Sequence, residues 1–175
     1  MMPIVEADLI HRYSGSGTNV NPDLSLGGAI NTANPAGVIV SDTDNNDMND
    51  ITSTEAAAGI VIYRGYFYSN EVTSAALTWT APVFWIESQT SSGNTDVSIA
   101  IADEAKNLAI EIIPNEETAP PGPSFTTPAN KAAGIAIGDL NQNDYRGHWI
   151  RYNVNAAASS TVDQYTIKAE GDTLP

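Results

Sequence analysis

The chain contains no cysteine. That excludes disulfides, thiolate metal sites and a cysteine nucleophile, and it fits assembly inside a cell. Basic residues are scarce: seven Lys and Arg against 21 Asp and Glu, in 175 residues, give a formal net charge of −14. Such a surface repels a phosphate backbone, so nucleic acid is not an expected partner. It suits solubility, a marine or halophilic setting, or docking onto a basic surface. No apolar run approaches the roughly 18 residues of a membrane helix, and no membrane partner is expected. The opening MMPIVEADLIHRYSG lacks a basic stretch followed by an apolar one, so no secretory leader is expected.

What is present is a β-rich palette of Ala, Ile, Val, Thr, Ser and Asn, 42 % hydrophobic overall. It is densest between Gly59 and Ala102. Ile60–Tyr68 is almost wholly β-branched or aromatic, as a strand covered on both faces should be. In Leu77–Glu87, Leu77, Trp79, Ala81, Val83 and Trp85 share one parity, and Pro82 interrupts the ladder. This piece is read as an edge strand or as two short strands meeting at a bulge. In Asp96–Ala102, Val97, Ile99 and Ile101 alternate with Ser98, Ala100 and Ala102. Two of the three tryptophans and two of the three phenylalanines fall in this stretch, which places the core there.

Further strands are expected at Ile4–Tyr13, Val38–Val40, Leu108–Ile113, Gly134–Gly138, Trp149–Val154 and Val162–Glu170. Asp103–Asn107 reads as a hairpin loop, and Thr54, Glu55 and three alanines allow one helical turn before Gly59. Tyr145, five residues after Leu140, has the spacing of a corner in which a tyrosine hydroxyl bonds nearby backbone. About eight strands and no convincing helix predict an all-β, two-sheet β-sandwich, immunoglobulin-like or jelly-roll. The whole of residues 1–175 is read as one domain. Residues 114–131 hold five prolines and form a crossing loop.

Residues 14–37 read as a loop-like arm with five glycines and two Asn-Pro steps. Its Leu24, Leu26 and Ile30 share one parity but are too sparse for a private core. Ordering the arm requires burial on the sandwich or on a neighbouring subunit, because fixing each residue costs about 1–2 kcal/mol. The neighbour is the expected site, with Leu24, Leu26 and Ile30 as its interface.

Chemistry-bearing patterns are few. Asp42, Asp44 and Asn46, and again Asp139, Asn141 and Asn143, alternate oxygen ligands as calcium loops do. Both lack the glycine and the terminal acid of such loops, so turns are expected, with Asp42, Asp44 and Asp47 left as weak metal candidates. His11 and His148 are the only histidines, and His148 beside Trp149 reads as structural. Glu116-Glu117 lies in a proline-rich loop, a poor frame for an acid/base pair. Tyr63, Tyr66, Tyr68, Trp79 and Trp85 alternate within strands and are read as core, with a sugar platform as the competing reading. No catalytic set and no cofactor is expected, so the chain is read as a non-enzyme.

The phrases SGSGTNVNPDLSLGGAI, YRGYFYSNE, VFWIESQTSSGNTDVSIAIA, IPNEETAPPGPSF, IAIGDL, HWIRYNV and IKAEGDT, in this order, resemble small virion structural proteins of tailed bacteriophages. Residues 38–58 depart from the pattern. The resemblance implies a non-enzymatic particle component made in the host bacterial cytoplasm. It implies a capsid decoration or cement protein, a trimer or dimer on the major capsid protein, or else a tail, neck or baseplate part. A carbohydrate- or host-surface-binding sandwich is the reading from another class.

Overall fold

The computed structural model describes residues 4–5, 8–15, 17–32, 37–40, 43, 45–73, 76–90, 93–156 and 163–174. Among them are seven strands and one short helix: β1 (Leu9–Tyr13), α1 (Ser53–Ala58), β2 (Ile60–Asn70), β3 (Thr78–Gln89), β4 (Thr95–Ile101), β5 (Ile135–Ala136), β6 (Tyr145–Val154) and β7 (Tyr165–Leu174). They form a four-stranded sheet, β1-β2-β6-β4, and a three-stranded sheet, β5-β3-β7, with every pairing antiparallel. The architecture is the expected two-sheet sandwich. The central stretch is divided between its layers, with β2 and β4 in one sheet and β3 in the other.

The main core lies between the sheets. Ile62, Tyr66 and Tyr68 of β2 meet Val97 and Ile99 of β4, Ile150, Tyr152 and Val154 of β6, and Trp79, Phe84 and Ile86 of β3. The opposite face of the larger sheet is also covered. Phe67, Ala102 and Trp149 pack there with Ile110 and Ile113. This is why β2 is apolar on both parities.

Strand β3 sits between β5 and β7, so the edge placement of Pro82 is corrected and the bulge reading holds. Register slips between Thr80 and Val83, where Ala81 takes a φ of +47°. An extra residue reverses the parity downstream. Leu77 and Trp79 therefore face the core before the bulge, and Phe84 and Ile86 after it, while Val83 and Trp85 leave that face.

Four expected strands shrink or vanish. β1 begins only at Leu9, Val38 contributes one bridge, to Arg12, and Gly134–Gly138 keeps only Ile135–Ala136 as β5. Leu108–Ile113 is not a strand, so Asp103–Asn107 closes no hairpin. The segment lies across the sheet as a cover, and its backbone bonds go to the arm. Gly28 N–H donates to Ile110 O at 2.9 Å, Ile110 N–H to Gly28 O at 3.0 Å, and Ile113 N–H to Leu26 O at 2.9 Å. The cover sits so close that a Cβ on Gly147 would lie 2.1 Å from Ile110 Cγ2. The last strand runs to Leu174; its expected start, Val162, lies outside the described residues. The helical turn before Gly59 is present as α1. Thr52 caps it, its side chain accepting from Glu55 N–H, while the Glu55 carboxylate accepts from Thr52 N–H at 2.7 Å.

The arm packs on its own domain. Leu26 and Ile30 pack against the outer cluster, whereas Leu24 stays 61 % exposed. Polar groups do the rest. Buried Asn19 donates to Ser14 O at 2.6 Å and Ser25 Oγ at 3.1 Å, and buried Asn31 donates to Asn19 O at 2.5 Å. Gly27, at φ +96°, passes so near the cover that a Cβ would stand 1.8 Å from Glu111 O.

Two buried arginines fasten the arm to β1 and β2. Arg12 forms a two-pronged pair with Glu71 and donates to Asn31 O at 3.0 Å. The fully buried Arg64 donates to Asp23 Oδ1 at 3.3 Å, to Asn49 Oδ1 at 3.0 Å and to Glu116. It thereby joins the arm, the acidic loop that leads into α1 (Asn49) and the proline-rich loop on one strand. Replacing Arg64 with Ala should cost about 2–3 kcal/mol in urea unfolding, because the partly exposed carboxylates regain some hydration. Deleting residues 14–37 should abolish cooperative unfolding altogether. A deletion variant with a sharp melting transition would show that the arm is dispensable.

Candidate functional site

Sheet edges carry unpaired N–H and C=O groups, and this fold deals with them one at a time. The outer edge of β1 is met at two points: Ile39 N–H donates to His11 O at 2.8 Å and Asn31 N–H to Tyr13 O at 3.1 Å. β1 pairs with β2 only as far as Tyr66. Beyond that point Gly65 N–H donates to Ser25 O at 2.8 Å, and Tyr63 N–H to Glu116 O at 2.7 Å. The outer edge of β4 exchanges two 2.9 Å bonds between Ile99 and Thr126. The edge of β3 away from β7 is closed by β5, by Leu140 on Trp79 and by Pro128 O on Ile86.

The outer edge of β7 is different. Nine of its ten residues pair with β3 on one side, and among the described residues no backbone hydrogen bond reaches the other side. Tyr165, Ile167 and Ala169 turn toward the core, while Thr166, Lys168, Glu170 and Asp172 are exposed. Such an edge can accept a further strand with little demand on sequence.

A second feature lies inside. His11 on β1 and His148 on β6 meet across β2 with their Nε2 atoms 3.1 Å apart. Tyr68 stacks on both rings, with centroids 5.0 Å from His11 and 4.4 Å from His148. Tyr66 and, from the other sheet, Phe84 close the sides. A bond between two Nε2 atoms needs one donor and one acceptor, hence two neutral rings of opposite tautomer. Nδ1 of the fully buried His148 has no partner among the described residues. The less costly arrangement makes His148 the donor and leaves Nδ1 a bare lone pair, not an unpaired N–H. Burial pulls the His11 pKa down to about 3 and holds His148 well below the usual imidazole range, helped by His11. The structural reading of His148 holds; its partner is visible only once the strands are in register.

The acidic loop closes the open side of the sandwich beside these rings. The Tyr13 hydroxyl donates to Asn46 O at 2.5 Å, and that of Tyr66 to Asp47 O. Burial pushes the Asp47 carboxyl up. Asp47 is thus a half-buried part of the fold, and Asp42 and Asp44 lie outside the described residues. Asp139, Asn141 and Asp144 are used in turns. Asp139 Oδ1 accepts from Ala81 N–H at 2.7 Å, and Asp144 Oδ2 from Lys106 Nζ at 2.7 Å. The described residues contain no cluster of three or more His, Asp or Glu able to hold a metal.

The other sequence candidates fall as follows. Tyr66, Tyr68, Trp79 and Trp85 are buried and form no platform: the first three belong to the core between the sheets, while Trp85 is buried outside it; Tyr63 lies on the other face of β2, against Phe125 at 5.5 Å. Glu116 serves Arg64. The Tyr145 hydroxyl does bond backbone, but it reaches Asn107 O at 2.9 Å, 38 residues back. It ties the 103–107 turn to β6 and makes no local corner. No helix among the described residues is long and apolar enough to cross a membrane.

The histidine pair gives a pH dependence with a definite sign. In the unfolded chain an imidazole takes a proton near pH 6.5, whereas folded His11 resists until about 3. The stability of the neutral pair is therefore complete above about pH 6.5 and is lost as pH falls toward 3. Melting temperature should decline already between about pH 6.5 and 5, before ordinary carboxylates titrate. Replacing both rings with Phe should flatten that portion of the curve. An unchanged slope would remove the pair as its cause.

Compared with known proteins, the chain matches no family model, no curated protein and no solved structure.

Proposed function

We propose that this chain is a non-enzymatic structural protein of a tailed-bacteriophage particle: a capsid decoration protein, made in the host cytoplasm. It docks as a dimer or trimer on the major capsid protein and stabilises contacts between capsid subunits. The observation that carries the reading is the open edge of the ten-residue β7, in a fold whose β1, β2 and β4 edges are met by its own loops. Strand addition there gives attachment through main-chain bonds.

Other features are consistent with a reinforcing role. The arm and the proline-rich loop are fixed to the body by Arg12 and Arg64, so the domain is presented as one rigid piece. Leu24, Leu108 and Ile112 are more than half exposed on the loops that cover the larger sheet. A charge of −14 favours a basic surface on the partner.

The cysteine-free sequence allows a direct test. Thr166→Cys on exposed β7 should react with a maleimide quickly in free protein and slowly on particles. Ala129→Cys, at an exposed position beside the opposite edge of the same sheet, should react alike in both. Equal reactivity of Thr166→Cys in both states would refute attachment through β7. Imaging labelled particles decides the place. Copies spread over the icosahedral shell fit decoration, whereas a ring or stack at one vertex would assign the chain to tail, neck or baseplate.

A further inference from the structure

On the outer face of the four-stranded sheet, at the end that the loop cover leaves open, β2, β6 and β4 present two adjacent rows of side chains. Asn153 stands between Val61 and Asp96 in one row, and Arg151 between Tyr63 and Ser98 in the next. Val61, Tyr63, Asp96, Arg151 and Asn153 line a shallow cleft of about 210 Å³. Phe125, carried by the proline-rich loop, stands at its side. Its ring meets Tyr63 edge to face and lies 5.3 Å from the Arg151 guanidinium.

The charges here are unusual for this molecule. Five of its seven basic residues (Arg12, Arg64, Lys106, Lys131 and Lys168) form ion pairs. Arg151 forms none among the described residues, although Asp96 lines the same cleft and has no described partner either. A guanidinium and a carboxylate thus share one small depression without closing on each other. Cross-strand from Arg151 in the neighbouring row, Ser98 is 1 % exposed and has a hydroxyl with no hydrogen-bond partner among the described residues. Buried hydroxyls without partners are rare in folded proteins and call for an explanation.

We propose that this cleft binds one ring of a neutral glycan. Asp96 accepts from adjacent sugar hydroxyls, and Arg151 and the Asn153 amide donate to others, bridging the gap that the protein's own groups leave. Tyr63 and Phe125 meet the apolar C–H face of the ring. The size argues for a single ring, because sites for drug-sized ligands run to about 300–1,000 Å³. Neutrality follows from the one-to-one charge of the cleft and the −14 of the chain, which disfavours uronic or sialic acids. The frame is three hydrogen-bonded strands, which hold the groups more rigidly than loops do. The inference stands on the cleft alone and does not depend on where the protein is placed in a particle.

The test uses the full chain on an array of glucose-, galactose-, mannose- and N-acetylglucosamine-terminated oligosaccharides, followed by NMR titration of any that bind. The expected result is saturable binding of at least one neutral glycan, with shifts at Tyr63, Asp96 and Arg151. Asp96→Asn and Arg151→Gln should each weaken it by about tenfold or more. Asp96 is exposed, so its variant should keep the wild-type melting temperature, which separates lost binding from lost fold. Three outcomes would overturn the proposal: no neutral glycan bound up to about 10 mM, binding undiminished in both variants, or a preference for acidic glycans.

Discussion

A guanidinium can be buried only if carboxylates and carbonyl oxygens come to it, because leaving it unpaired costs several kcal/mol. Arg64 imposes that condition on this fold. Its side chain is fully buried on the central strand of the domain, and Asp23, Asn49 and Glu116 arrive from three different loops to meet it. Each loop then performs a second task. Next to Asp23, Ser25 and Leu26 cap the open edge of β2 and bond the cover segment. The loop of Asn49 supplies the backbone oxygens that receive Tyr13 and Tyr66. The backbone of Glu116 closes another position on the β2 edge. One cation thus coordinates the irregular third of a mainly acidic chain.

This arrangement accounts for how long loops stay ordered without long helices or disulfides. The arm has too little apolar surface to offset its own ordering entropy. It gains instead from buried Asn and Ser side chains whose donors are satisfied by its own carbonyls, and from the contacts of Leu26 and Ile30 with a cluster that belongs to the sheet. The sheet needs the arm in return, since without it the outer face bearing Phe67 and Trp149 loses much of its cover. Dependence runs both ways, which makes arm and sandwich one cooperative unit.

The histidine pair and the β7 edge stand at opposite ends of the stability scale. The pair sits where both sheets meet, and its neutrality is enforced by Tyr66, Tyr68 and Phe84 around it. The edge has spare hydrogen-bonding capacity and charged residues facing outward, a common natural guard against indiscriminate pairing. A rigid body with one strand edge open is consistent with the attachment role proposed above.

Local sequence determined the class of the fold. The β-branched and aromatic run of 60–68 and the period-two alternation of 96–102 are properties of neighbouring residues, and each was legible without knowing the partner strand. Tertiary structure decided what local pattern leaves open. The bulge at Ala81 and Pro82 reverses the parity of β3, so Phe84 and not Trp85 enters the core, and only the register against β7 reveals it. Leu108–Ile113 carries a strand's alternation yet serves as a cover, because its hydrogen-bond partners are the arm and not a sheet. Arg64 stands alone inside an apolar run, and only the tertiary structure shows it buried and brings Asp23, Asn49 and Glu116 to it. His11 and His148, 137 residues apart, become a pair only through β2. Periodicity reports which face of a segment is buried; it is silent on what lies across from that face, and the candidate sites of this protein are made across such distances.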